Sequence, residues 1–506
     1  MHIKPYAVIE IGSTGIRMLV VDVDKNKNRT ILDRAEIAVS LGMDVFTSGD
    51  ISLDSQLHCI SILSQFKEAL ASWSLKPTDA FVIATSAFRE ARNRDFVVDR
   101  ILVKTGFVVK TIDGIEENRL MYLAVQDRLK SIKKKNTQRD SIIIETSGGS
   151  TELLLIRKGK IAGAHSFKLG TVRIERKLSR SIDETQRYIE EFIRNTKGAL
   201  ETEMNLSSVR EFVAVGNDAV IAAINIGKPI STWLWTIDLL AFNKFVDEVK
   251  SYSIDESMAR FKISYSDAQN LYSSLLIYKF FLTMTQAKKM IVPETNIREG
   301  LLISKIDLPD SHVQKEFLEQ ISSSALNVLE KYRGDKPHAN FVRAMSLRIY
   351  DVLEKVLPFE ERSKLLLEVA AILHDIGMFI RMENHNVHGA YVIRNSEIFG
   401  LSQYDRTIIA EIAKYHRGET MPHDDEHFQL LSRSDRMLIL KLTAIVRLAD
   451  ALDRGHAQKL SNATCKIENE NFVITTKEKN ITLEKIALTE KGALFELVFG
   501  YKLLLR

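Results

Sequence analysis

Residues 7–23, AVIEIGSTGIRMLVVDV, and residues 141–156, SIIIETSGGSTELLLI, share one pattern of apolar and polar positions. Each is a β-rich run with an acidic residue near its end, a short Gly/Ser/Thr turn, and a second β-rich run, which predicts a hairpin. Glu10 and Glu145 hold the same place in the two copies. Two unrelated hairpins would also give glycine turns between strands, but the acid and the hydroxyl-plus-glycine turn recur together, as in a repeat. Between the copies, FVIATSAFREARN (81–93) predicts a strand leading into a helix that carries Arg89. VVKTIDGIEENRLMYLAV (108–125) predicts a strand, a glycine turn and a helix opened by Glu116 and Glu117. RLKSIKKKNTQRD (128–140) reads as a basic connector, a solvated loop rather than a polyanion track. Residues 313–453 show helical spacing almost throughout, and LLIYKFFLTM (275–284) reads as a buried helix. Residues 465–506 return to short alternating segments such as FVITT and ALFELVFGYKLLL, predicting a small β-containing tail.

Composition narrows the class. At roughly 150 residues per domain, 506 residues make three to four domains. The net charge of +4 gives no reason to expect nucleic acid, and 45% hydrophobic with 27% charged residues suits a globular protein with real cores. Cys59 and Cys465 stand alone, so neither a disulfide framework nor a CxxC zinc site is available. The start, MHIKPYAVIEIG, does not read as a secretory signal, and no stretch offers 18 uninterrupted apolar residues to span a membrane. The expected address is cytoplasmic.

The duplicated hairpin suits phosphate chemistry. Glycines let the backbone approach an oxyanion, and backbone N–H groups and hydroxyls donate to it. Gly12, Ser13, Thr14, Gly15 and Arg17 on one hairpin, with Gly148, Gly149, Ser150 and Thr151 on the other, are the candidate phosphate ligands. Glu10 and Glu145 are candidate Mg²⁺ ligands.

The helical region holds a second constellation: His338, the adjacent His374–Asp375, His388, His416 and Asp450. Imidazole and carboxylate ligands suit Mn²⁺, Fe, Zn²⁺ or Mg²⁺. His374 and Asp375 interrupt an otherwise apolar helix, where an uncompensated charge is expensive to bury. A lone histidine there would read as a satisfied core group; six ligands in order read as a metal centre. His385, three residues before His388, is the weaker candidate.

By these segments the chain resembles the exopolyphosphatase/guanosine pentaphosphatase (Ppx/GppA) phosphohydrolases, in the long form with an HD domain. GSTGIR, ATSAFREARN, GIEENRLMYLAV, SGGSTELLLI, SFKLGTVRIERKL and NIREGLL occur in the family order. The resemblance implies an α/β fold of two ribonuclease-H-like (actin-like) domains over 1–126 and 127–305. An all-α HD-type domain (306–462) and a small C-terminal α+β tail (463–506) would follow. It implies hydrolysis of the terminal phosphate of inorganic polyphosphate or guanosine pentaphosphate in the cleft between the first two domains, with Mg²⁺, by a homodimer. Glu117 falls on the family's catalytic base and Arg89 on an arginine that binds the transferring phosphoryl group. Read without the family, Glu117 would be a first-turn acid favoured by the helix dipole.

Departures from the family are visible. Glu10 and Glu145 stand where aspartates are usual, and each reaches about 1.5 Å further. Ser147 replaces the first of three glycines, and Asn217, Asp218 and Ala219 lie where a third glycine-rich loop belongs. An acidic Asp218 facing phosphate is expected to oppose binding. Two alternatives follow: a degenerate cleft with hydrolysis at the HD centre, or a non-catalytic sensor of polyphosphate or an alarmone.

Overall fold

The computed structural model describes residues 5–25, 27–130, 139–177, 182–306, 311–360, 362–417 and 425–506. Most of the basic connector, residues 131–138, lies outside them. The chain divides into two units, Met1–Phe317 and Leu318–Arg506.

In the first unit the long apolar runs become strands covered on both faces. β1 (Tyr6–Ile11), β2 (Gly15–Val23), β3 (Arg29–Ala38), β4 (Ala80–Ala84) and β5 (Val109–Thr111) form one sheet in the order β3-β2-β1-β4-β5. The first three pair antiparallel, while β4 and β5 run parallel to β1. β2 buries seven of its nine residues, the near-continuous burial of a strand packed on both sides. One face meets the helices Leu53–Ser72 and Arg94–Thr105 through Cys59, Phe66 and Ile101; the other meets helix Ile297–Ile306 through Leu301 and Leu302.

The second sheet repeats this plan. β6 (Ser141–Thr146), β7 (Thr151–Arg157) and β8 (Lys160–Phe167) pair antiparallel; β9 (Glu211–Val215) and β12 (Lys289–Pro293) extend the sheet in parallel. β10 (Lys228–Ser231) and β11 (Leu234–Asp238) add an antiparallel margin. The duplicated hairpin of the sequence is thus the start of a duplicated ribonuclease-H-like sheet. Tyr278, fully buried, joins the ends of two strands: its hydroxyl donates to the Val215 carbonyl at 2.6 Å and accepts from the Thr146 amide at 3.2 Å.

Gly300 lets helix Ile297–Ile306 meet helix Gly114–Leu129, because a Cβ there would stand 2.0 Å from the Leu120 carbonyl oxygen. Backbone cannot give way as a side-chain tip can. Gly300→Ala is expected to lower stability by about 1–3 kcal/mol, seen as a lowered midpoint in thermal unfolding.

The second unit is mainly helical: Lys336–Leu353, Ser363–Leu373, His385–Arg394, Gln403–Tyr415 and Arg433–Ala451 surround a core of Ile, Leu and Ala. Ser402 and Asp405 form a capping box at one helix start. β13 (Thr464–Glu468), β14 (Asn471–Thr475) and β15 (Lys502–Leu505) form a small sheet. The expected alternation over ALFELVF is wrong. Residues Ala493–Phe499 are a helix, with buried Phe495 and Phe499 four apart, ended by Gly500 at φ +75°. No helix among the described residues is long and apolar enough to cross a membrane.

Candidate functional site

The two turns are built alike. The Gly12 amide donates to the Gly15 carbonyl and the Ser147 amide to the Ser150 carbonyl, both at 2.9 Å. Each turn also gives carbonyls to a helix start: Gly42 donates to Ser13, and Val172 donates to Gly148. A Leu-Gly pair lies at one helix start, Leu41–Gly42, and just before the other, Leu169–Gly170. The turns meet across the cleft. A Cβ on Gly148 would lie 2.9 Å from the Thr14 methyl, and one on Gly149 would lie 2.1 Å from the Ser86 hydroxyl. The Ser13 and Ser86 hydroxyls are 2.9 Å apart.

Strand register decides what stands behind each turn. Glu10 lies opposite Arg17 in the first hairpin, and Glu145 lies opposite Glu152 in the second. The first hairpin therefore carries an ion pair where the second carries two acids. Glu10 pairs with Arg298 and lies 3.8 Å from Arg17, which also donates to Glu36 at 2.7 Å. Both Arg17 and Glu10 thus already have charged partners, and the extra methylene of Glu10 ends at a guanidinium. Arg298, in NIREGLL, is a site residue that sequence reasoning did not single out.

Glu117 is in the first turn of its helix, which Asp113 caps by accepting from the Glu116 amide at 2.8 Å. Its carboxylate is buried and pairs with Arg89, which also donates to the Ile112 carbonyl at 3.0 Å. Burial raises the Glu117 pKa, against the pull of Arg89. Glu152 is the second residue that sequence reasoning missed: an acid inside an apolar strand, visible in STELLLI as the one charge on a buried face. It accepts from Asn118 at 3.1 Å and from Ser166 at 2.8 Å, and its pKa is driven well up, by burial and then by Glu117.

Glu145 has its pKa pushed up to about 8 by burial and by the fields of Glu10 and Glu117. Four carboxylates (Glu10, Glu117, Glu145, Glu152) thus stand against three guanidiniums (Arg17, Arg89, Arg298), and the acids in excess are held toward their protonated, neutral form. Deprotonated, these oxygens are of the kind a hard divalent cation takes, although among the described residues they do not form one of the close ligand groups that the second unit holds. The sign for stability follows. The folded pKa exceeds the ordinary value of 4.5, so the folded state binds more protons, and stability present below about pH 4.5 is lost as pH rises through about 8. In chelator, the thermal midpoint is expected to fall from pH 5 to pH 8 more steeply in the parent chain than in Glu145→Gln. Added Mg²⁺ is expected to restore it at pH 8. Equal slopes for the two chains would refute the assignment.

The loop after β9 places Gly216 at φ +117° and opens helix Asn217–Ile226. Burial pushes the Asp218 carboxyl up to about 7, with nearby Ser274 working the other way. A substantial fraction of Asp218 is therefore neutral near pH 7, which softens the repulsion expected of an acid there.

In the second unit, the structure brings five of the six predicted ligands together and corrects the sixth. His385, not His388, joins the group. The His385 and His416 Nε2 atoms lie 3.1 and 3.2 Å from the Asp375 carboxylate. His385 opens its helix and points inward; His388, one turn on, is only half-buried and outside the group. Four rings are held alike. Nδ1 of His374, His385 and His416 faces the carbonyls of Ala371, Met382 and Ala413 at 2.6–2.9 Å, and Nδ1 of His338 faces Asp453 at 2.8 Å. In neutral His374, Nδ1 is then the protonated nitrogen and Nε2 offers its lone pair to the centre; His338 does so only once its second proton has left. His338 and His374 Nε2 are buried without hydrogen-bond partners. Burial drops His374 to about 4, so this ring is neutral. Burial opposes charge on His338 too, but Asp450 and Asp453 raise it to about 9. Asp375 is held far below the carboxylate range: burial opposes this, and the surrounding histidines prevail. Lys491, from helix Thr482–Lys491, pairs with Asp450.

The chain is similar to known proteins. The model of the Ppx/GppA phosphatase family matches residues 19–308, and that of Ppx/GppA phosphatase, domain III, matches residues 322–494. A guanosine-5'-triphosphate,3'-diphosphate pyrophosphatase of Pseudoalteromonas translucida is 22% identical over 432 residues, 82% of this chain and 81% of that protein. Its namesake in Photobacterium profundum is 21% identical over 451 residues, 87% and 86% of the two chains. The crystal structure of an exopolyphosphatase from Cytophaga hutchinsonii superposes with a TM-score of 0.54 at 19% identity. It covers 60% of this chain and 98% of that one, a likeness of fold.

Proposed function

The chain belongs to the Ppx/GppA phosphatase family, and on that premise we propose that it is a phosphoanhydride hydrolase. Its substrate is inorganic polyphosphate or guanosine pentaphosphate, its product the terminal phosphate, and its site the cleft of the first unit. The reading rests on the buried Glu117–Arg89 pair, set beside Glu152 and two glycine-bearing turns. The terminal phosphoryl group draws Arg89 from Glu117. The freed carboxylate orients a water and takes its proton as the oxygen attacks phosphorus in line; the P–O bond to the rest of the chain breaks. Glu152 positions Glu117, and the amides and hydroxyls of 12–15 and 148–151 hold the phosphates. Glu145 and Glu10 would hold Mg²⁺, which would supply charge neutralisation on the phosphate oxygens.

The test is phosphate release from long-chain polyphosphate and from guanosine pentaphosphate, with Mg²⁺ and with chelator. Release from at least one, lost in chelator, is expected. Binding of both without release would leave a sensor.

A second site is favoured by the four pinned histidines. Residues 306–462 are read as an HD-type domain, after actin-like domains at 1–126 and 127–305 and before a C-terminal domain at 463–506. His338, His374, Asp375, His385, His416 and Asp450 are read as its ligands for Mn²⁺, Fe or Zn²⁺. The protein is expected in the cytoplasm as a homodimer, the latter measurable by light scattering.

A further inference from the structure

We propose that the His/Asp centre of the second unit binds a phosphate monoester that carries a planar aromatic ring, a nucleoside monophosphate. Its phosphate would sit at the centre and its base in the adjoining cavity. The inference rests on the metal reading of that centre.

A cavity of about 230 Å³ opens directly on the centre. Its inner wall is His338, His374 and Asp375; its outer wall includes Tyr332, Arg333 and Phe379. The two outer rings stand edge to face, with centroids 5.4 Å apart. Phe379 is 55% exposed, a large apolar side chain kept in water at the mouth of a polar centre. Arg333 lines the same cavity, also exposed, at φ +52° in the turn between two helices.

Each wall selects a different part of a ligand. Once the unpartnered imidazole nitrogens hold an ion, that ion and the guanidinium lining the same cavity would attract phosphate oxygens. An aromatic wall gains nothing from a bare phosphate chain, whereas stacking a base on one is worth about 1–3 kcal/mol. The volume is smaller than the roughly 300–1,000 Å³ that encloses a whole drug-sized ligand. One ring system fits there, with the ribose bridging to the centre.

The full-length chain is loaded with Mn²⁺, its metal content is measured, and AMP and ribose 5-phosphate are titrated calorimetrically. AMP is expected to bind at least about tenfold more tightly. Phe379→Ala and Tyr332→Ala are expected to weaken AMP by about 5- to 160-fold, the range given by one stacked base. Ribose 5-phosphate binding, metal content and polyphosphate hydrolysis are expected to stay unchanged. Phe379→Leu, which keeps apolar volume without the ring, is expected to behave like Phe379→Ala for AMP. Metal-loaded protein that binds AMP and ribose 5-phosphate equally, or neither, overturns the proposal. Protein that takes up no Mn²⁺ overturns the metal reading instead, and the proposal with it.

Discussion

Glu117→Gln is expected to slow phosphate release by at least about a hundredfold, up to about ten-thousandfold, the span a positioned general base contributes. Substrate affinity is expected to change little, because the amide keeps its shape and loses only its basicity. Arg89→Ala is expected to act differently. It removes the partner of a buried carboxylate, so it should both lower the rate and raise the Glu117 pKa further, since Arg89 is what pulls that pKa down. The acid limb of the pH–rate profile would then move upward in Arg89→Ala. In Glu117→Gln that limb would vanish along with most of the rate. Full activity in Glu117→Gln would remove the chemistry from this cleft.

The second large effect is expected at Asp375. Its carboxylate lies within 3.9 Å of ring nitrogens on His338, His374, His385 and His416, so one side chain joins both halves of the centre. Asp375→Ala is expected to weaken Mn²⁺ or Zn²⁺ binding by at least about a hundredfold, the upper end of what even an outer partner of a ligand contributes. Metal at a hundred times its dissociation constant adds about 2.7 kcal/mol to the stability of the parent chain, and that gain should be absent from the variant. His388→Ala is the control. It lies outside the group, so metal content and metal-dependent stabilisation should match the parent. If His388→Ala lost the metal and His385→Ala kept it, the ligand assignment would fail.

The sequence made part of this arrangement legible for definite reasons. The two hairpins were readable because buried strands keep their apolar runs and the turns between them need glycine and hydroxyl residues. Glu117 was readable through the GIEENRL resemblance, since on its own it reads as a first-turn acid favoured by the helix dipole. His385 and His388 could not be separated, since residues three apart share one face of a helix and only the helix's rotation tells them apart. Glu152 shows in STELLLI as one charge in an apolar run, but the run does not say what it meets. Its partners Asn118 and Ser166 come from other elements, and Arg298 reaches Glu10 from 288 positions away. Such pairings are tertiary, and no local pattern carries them. ALFELVF misled because a short apolar run without polar interruptions suits a buried helix as well as a strand.

The two turns touch where Gly148 faces Thr14. If the substrate is a long polymer, that contact would work as a stop: a thread could not be laid across it, and only a free end could be pushed up to it. On the reading proposed here, an interior bond never reaches the base, and each cycle shortens the strand by a single unit. A time course should therefore show a ladder descending from the starting length together with orthophosphate, with no mid-length fragments at any stage.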